Sequence, residues 1–239
     1  HDISRFFLGI RQGGKSQKNQ NSIYGDFKIT HRFNAMAENA VILEREQLSL
    51  KVNEIFYSIQ GEGSYALYPC VFIRLTGCNL RCVWCDTTYS FFEGQPQTLD
   101  QILIAATAYP TQLVEITGGE PLLQKNVYPL FDMLHTAKKK VLIETSGSIL
   151  IDRVPGFVHI VLDIKAPDSG EADKNRYENL KWIKPADDIK IVVASKADFE
   201  FALGVEQKYA LTQKMERPVI IQPAFGQLES AEVGEWVKN

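Results

Sequence analysis

Three thiols stand close together in this chain: Cys78, Cys82 and Cys85, in the run Gly77-Cys78-Asn79-Leu80-Arg81-Cys82-Val83-Trp84-Cys85. Thiolates are soft donors that suit iron–sulfur clusters, zinc and copper(I). The spacing C-x3-C-x2-C brings three ligands. Three cysteines on a four-iron cluster leave one iron without a protein ligand, and an open position is what a metal needs to bind and activate another molecule. The competing reading is a zinc knot completed by Cys70. Cys70 stands near the start of the strand whose far end feeds the loop, about 20 Å away at about 3.3 Å per residue, so an inert buried role suits it better.

Further residues that could do chemistry recur at the ends of apolar runs. Thr117-Gly118-Gly119-Glu120-Pro121 closes one run, and paired glycines let a ligand approach the backbone or simply make a turn. Glu144-Thr145-Ser146-Gly147 and Asp163-Ile164-Lys165 close two others, where they could hold a ligand or bond their own backbone. Arg74 sits among Val71, Phe72, Ile73 and Leu75, and a buried guanidinium needs a partner. Glu54, Glu62 or a carboxylated substrate would serve. Thr87 could cap a helix or coordinate a hard cation. Gln60 and Gly61 offer an amide and an unobstructed backbone for reading a donor and acceptor edge.

The elements that must position these residues alternate in type. Short β-rich runs cover Cys70 to Leu75, Leu113 to Thr117, Val141 to Thr145, Val158 to Ile164, Ile189 to Val193 and Val219 to Gln222. Several are almost continuously apolar, as parallel strands buried on both faces should be. Helix-length segments lie between them, including Leu99 to Ala108 behind the cap Thr98, and Val127 to Lys138. Right-handed crossovers would then build an α/β parallel sheet or open barrel, with ligands beyond the carboxyl ends of the strands.

Composition narrows the function classes. The chain has 239 residues, 45% hydrophobic, enough for one sizeable core. A net charge of −3 gives no basic field for a phosphate backbone, so a small-molecule partner is expected in place of nucleic acid. Four cysteines are too few for a disulfide framework, and their clustering points to a metal in a reducing, cytoplasmic compartment. No apolar run is long enough to span a bilayer, and no secretory signal pattern opens the chain. Residues 1–35 read as a flexible polar tail, with Met36 a plausible native start and residues 36–239 one domain.

C-x3-C-x2-C with an aromatic, Trp84, before its last cysteine resembles the signature of the radical S-adenosylmethionine (SAM) superfamily. Asn53 to Gly63, Phe72-Ile73-Arg74-Leu75-Thr76-Gly77-Cys78 and Cys85-Asp86-Thr87 narrow the match. Over about Val52 to Pro223 the chain is similar to the 7-carboxy-7-deazaguanine synthases of queuosine biosynthesis.

That resemblance implies a partial, open parallel β/α barrel of the radical SAM type. It implies a 4Fe–4S cluster on Cys78, Cys82 and Cys85, and SAM contacts at Trp84, Cys85, Asp86, Gly119, Asp163, Ile164, Lys165, Gln222 and Pro223. Many relatives carry Ser-Pro-Lys where this chain has Asp163-Ile164-Lys165. Substrate contacts are implied at Ile59, Gln60, Gly61, Arg74 and Thr117, and Mg2+ at Thr87 together with the substrate. The implied reaction turns 6-carboxy-5,6,7,8-tetrahydropterin into 7-carboxy-7-deazaguanine with loss of ammonia. It needs a flavodoxin-type reductant, and a homodimer is the family expectation.

Relatives continue with a further strand and a Gln-x-His-Lys-like segment, whereas this chain stops at Trp236-Val237-Lys238-Asn239 and reads as C-terminally truncated. The rival readings are an activase of glycyl-radical enzymes, against which Gln60-Gly61-Glu62-Gly63 and Thr87 argue, and a zinc-stabilised binding module.

Overall fold

The computed structural model describes residues 48–238. The tail expected over residues 1–35 and the start at Met36 lie outside the described residues. Eight strands form one sheet: β1 (Ser49–Ile59), β2 (Pro69–Leu75), β3 (Gln95–Thr98), β4 (Leu113–Gly118), β5 (Lys140–Thr145), β6 (His159–Asp163), β7 (Asp188–Val193) and β8 (Ile220–Pro223). Their order is β3-β1-β2-β4-β5-β6-β7-β8, so the sheet does not close on itself. From β2 to β8 every neighbouring pair is parallel, as the strand and helix alternation requires. β1 and β3 add an antiparallel edge that the apolar pattern alone did not predict.

Alternation along the strands divides the sheet into two faces. Val71, Ile73 and Leu75 of β2, Val114 and Ile116 of β4, Val141 and Ile143 of β5, and Ile189, Ile191 and Val193 of β7 point to one face. There they pack on helices α1 (Leu99–Thr107), α2 (Val127–Thr136) and α3 (Lys196–Tyr209) through Leu99, Ile102, Leu130, Phe131, Leu134, Ala202 and Val205. Each Val, Leu, Ile or Phe among them contributes about 1.5–3 kcal/mol through burial. The other face starts apolar at one end, with Cys70, Phe72, Leu113 and Leu142 against Phe56 and Tyr65. Towards the carboxyl ends of the strands it becomes polar.

Local signals place the helices. Thr98 accepts from the Gln101 backbone N–H at 3.2 Å, and the Gln101 side chain accepts from the Thr98 N–H at 2.9 Å. This reciprocal box, worth about 1 kcal/mol, fixes the start of α1 where the sequence put it. The weakly amphipathic α3 begins at Ser195, whose hydroxyl accepts from the Asp198 N–H at 3.3 Å. Two shorter helices follow, α4 (Leu211–Lys214) and α5 (Ser230–Lys238). Among the described residues no helix is long and apolar enough to cross a membrane.

Candidate active site

A cleft of about 370 Å³ opens where the carboxyl ends of the parallel strands meet the loops that follow them. The loop leaving β2 carries all three clustered cysteines to its wall. Gly77 donates to Ser90 O at 2.9 Å and accepts from the Glu120 N–H at 2.8 Å, which fixes the loop's root. Leu80, 1% exposed, plugs its centre. Arg81 closes it, with its guanidinium on Cys78 O at 2.9 Å and Leu80 O at 2.6 Å, and stacked over Phe91 at 4.4 Å. The Leu80 N–H donates to Cys78 Sγ at 3.4 Å, an interaction that favours a sulfur bearing negative charge. All three cysteines are free thiols. Burial raises Cys78 and Cys82 above the ordinary thiol range, and for Cys82 the nearby Lys165 ammonium opposes that rise.

Cys70 lies elsewhere, fully buried near the start of β2, with its thiol pushed up to about 12 chiefly by burial. Cys70 does not line the cleft that Cys78, Cys82 and Cys85 share, which goes against a zinc knot completed by it.

Gly118 and Gly119 run against the cysteine loop. A Cβ on Gly119 would sit 2.7 Å from Cys78 Cβ and closer still to Gly77 O, so glycine is sterically required there. Glu120 is 1% exposed and anchors the end of β5: it accepts from Thr145 Oγ1 at 2.9 Å, Ser146 Oγ at 2.6 Å and the Leu122 N–H at 3.0 Å.

The rest of the cleft is a charged network that sequence reading largely missed. Lys190 of β7, 5% exposed, reaches Glu62 at 2.6 Å, bonds Glu144, and lies 3.9 Å from Asp163. These carboxylates hold its ammonium well above the ordinary lysine value although burial acts the other way. Lys165 pairs with Asp163 at 2.7 Å. Glu115 lies beneath Thr117 on β4, and its carboxyl is pushed up to about 8, first by burial and then by the charges of Glu144 and Glu62. The signal for Glu115 and Lys190 was present as a charge inside each of the runs Val114-Glu115-Ile116 and Ile189-Lys190-Ile191.

Of the expected site residues, Gln60, Gly61, Arg74, Cys78, Cys82, Trp84, Cys85, Asp86, Thr87, Thr117, Gly119, Asp163, Lys165, Gln222 and Pro223 all line this one cleft. Ile59 and Ile164 do not. Ile59 is 55% exposed at the end of β1, and Ile164 is buried in the helix-facing core, leaving only its backbone to a ligand. Arg74 takes the partner named as the alternative: its Nε bonds Glu54 at 2.8 Å. The Gln60 amide is also engaged, donating to Glu115 and accepting from the Glu62 N–H at 3.1 Å. Thr87 precedes the 3-10 turn Thr88–Phe91 without capping it through its side chain; its hydroxyl stands 3.7 Å from Cys85 Sγ.

Comparisons with known proteins agree with this geometry. Residues 72–191 match the Radical SAM superfamily. The chain is 45% identical over 178 residues to the 7-carboxy-7-deazaguanine synthase of Koribacter versatilis, covering 74% of this chain and 78% of that protein. The chain belongs to the 7-carboxy-7-deazaguanine synthase family. The synthase of Chlorobaculum tepidum is 43% identical, with 79% of this chain and 86% of that protein covered. The crystal structure of QueE from Escherichia coli superposes with a TM-score of 0.64 at 25% identity, covering 82% of this chain and 92% of that one.

Membership of the radical SAM superfamily implies a 4Fe–4S cluster and SAM, and the residues present fit both. The cluster would take its three thiol ligands from one rigid loop, with a backbone N–H already aimed at a sulfur. Asp163 Oδ1 and Gln222 Oε1 are buried in the cleft wall without a hydrogen-bond partner among the described residues. Buried acceptors of this kind call for donors, which the hydroxyl and ammonium groups of SAM possess.

Proposed function

We propose that this chain is a carbon–nitrogen lyase that contracts the ring of 6-carboxy-5,6,7,8-tetrahydropterin to give 7-carboxy-7-deazaguanine and ammonia. One observation carries the reading: a single cleft joins the three cluster thiols to a pocket lined by Arg74, Thr117, Glu115, Glu144 and Lys190. A volume of about 370 Å³ fits a small heterocycle beside its cofactor. When bound, the cluster and SAM supply one-electron chemistry and hydrogen-atom abstraction.

The chain's own residues orient the substrate. Arg74 spends its Nε on Glu54, which leaves its terminal nitrogens to meet the substrate carboxylate. Gly61 leaves its backbone open, and the Gln60 amide holds Glu115 in place for the ring's donor edge. Glu115, its carboxyl pushed up to about 8 first by burial, stands in the wall of the cleft where an amine leaves. Lys190 pairs with both Glu144 and Glu62, and its ammonium helps bring the Glu144 carboxyl below its ordinary value against the effect of burial.

Mg2+ would bind through the Thr87 hydroxyl and the substrate carboxylate and keep several waters, since the described residues offer no cage of three acidic ligands. SAM would lie along Trp84, Asp86, Gly119, Asp163 to Lys165, Gln222 and Pro223. A flavodoxin-type reductant, a homodimer and a cytoplasmic setting complete the proposal.

The test is anaerobic reconstitution followed by iron and sulfide analysis and incubation with SAM, Mg2+, a reductant and the pterin. A deazaguanine product detected by mass is expected. SAM cleavage without it would point to another radical SAM activity, such as activation of a glycyl-radical enzyme. Colourless protein holding zinc would overturn the reading altogether.

A further inference from the structure

The segment that leaves β1 does not turn straight back into β2 but crosses the sheet. β7 stands five positions from β1 in the strand order, yet residues 60–64 reach it. Two side chains of β7 receive them. Lys190 bonds Glu62 at 2.6 Å. Asp188, two residues earlier and so on the same face, accepts from the Ser64 backbone N–H at 2.7 Å and from the Ser64 hydroxyl.

Asp188 is itself held. His159 Nε2 lies 3.0 Å from it, and Tyr65 sets its ring edge-on to that imidazole at 4.9 Å between centroids. Gly63 has φ 69°, and a Cβ there would meet Asp188 Oδ2 at 2.8 Å, so the backbone comes this close only as glycine. Burial alone would raise the Asp188 carboxyl, but the hydrogen bonds from His159 and Ser64 bring it below its ordinary value, which keeps the acceptor charged. Asp188 does not line the cleft, whereas Gln60, Gly61 and Glu62 do.

We propose that Asp188 is a positioning residue: by seating Ser64 it turns residues 60–64 into a fixed crossbar that presents Gln60, Gly61 and Glu62 to the substrate. The assignment rests on the reading above, in which this segment meets the pterin. A loop already ordered in the free protein spares the substrate the cost of ordering it. Loss of the clasp therefore appears as weaker binding, with the chemical step little changed.

The full chain, reconstituted with its cluster, is compared with Asp188→Ala, Asp188→Asn and Ser64→Ala. Ser64→Ala removes one hydroxyl and leaves the fold intact should Asp188→Ala fail to fold. The expected result is faster amide hydrogen exchange over residues 61–68 and a rise in KM for the carboxytetrahydropterin of about tenfold for Asp188→Ala, the cost of losing a charged hydrogen bond. Ser64→Ala gives a smaller rise, kcat stays within about twofold, and iron content and SAM affinity are unchanged. Asp188→Asn, which still accepts from the Ser64 N–H, falls between wild type and alanine. Product from the wild type with KM unchanged in Ser64→Ala and Asp188→Ala overturns the assignment alone, as does a fall in kcat at constant KM. No product from the wild type overturns the functional reading and the assignment with it.

Discussion

Replacing Lys190 by methionine keeps most of the apolar stem of the side chain and deletes its terminal positive charge. In the wild type that charge lies 2.6 Å from Glu62 and 3.9 Å from Asp163, and it bonds Glu144. The Lys190 side chain is only 6% exposed, so its carboxylate partners lose a desolvated cation that nothing replaces. Removing one member of a buried ion pair costs about 3–5 kcal/mol. Glu62 and Glu144 keep 36% and 28% of their side chains exposed to the cleft, where water screens part of the repulsion. The expected cost is therefore the lower end, about 3 kcal/mol. At about 2–4 °C per kcal/mol for a domain of this size, Tm falls by about 6–12 °C.

The deficit also depends on pH. Burial raises the Glu144 carboxyl, and Lys190 overcomes this to bring it below its ordinary value. Stability from that lowered carboxyl is present above its unfolded-state value and lost as pH falls through its folded-state value. Without Lys190, burial raises Glu144, and the folded protein is penalised only while the group is ionised. The gap between wild type and variant is thus widest near about pH 8 and narrows towards about pH 5. Thermal unfolding of both cluster-free proteins, followed by circular dichroism at the two pH values, measures it. A Tm within about 2 °C of wild type, or a gap that does not change with pH, would refute the reasoning.

Other outcomes follow from the same geometry. Cys78→Ala, Cys82→Ala and Cys85→Ala each lose the brown chromophore after reconstitution, whereas Cys70→Ala retains full iron and sulfide, because Cys70 is buried away from the loop. Gly119→Ala drives a methyl group to 2.7 Å from Cys78 Cβ, and overpacking of that kind weakens SAM binding about tenfold, read by equilibrium dialysis. Glu115 keeps a proton up to about pH 8 that the unfolded chain gives up near 4.5, so its contribution to stability falls as pH rises between those values. Glu115→Gln removes that slope, and guanidinium unfolding across the interval shows whether the curve flattens.

Legibility was greatest where chemistry depends on local spacing. The thiol trio, the glycine pair at Gly118 and Gly119, and the polar ends of β5 and β6 are contiguous motifs, and a strand followed by a loop delivers them to one rim. Six strands and two helices were likewise announced by local runs. The charged floor was less legible, because Glu115 and Lys190 each interrupt an apolar run that reads as a strand buried on both faces. Only the register of the sheet shows that these interruptions face the cleft while their neighbours face the helices.

Taken alone, the sequence determined which donors the chain owns, the order of the six parallel strands and two of the helices, and the cluster chemistry that three closely spaced thiols permit. Tertiary structure decided the pairings. Arg74 chose Glu54, Gln60 turned to Glu115, and the Gln60 to Ser64 segment crossed to Asp188 and Lys190, more than a hundred residues away for the last two contacts. Spacing along a chain constrains neighbours within a turn or a strand, but a buried charge takes its partner from whichever segment the fold brings within hydrogen-bond reach.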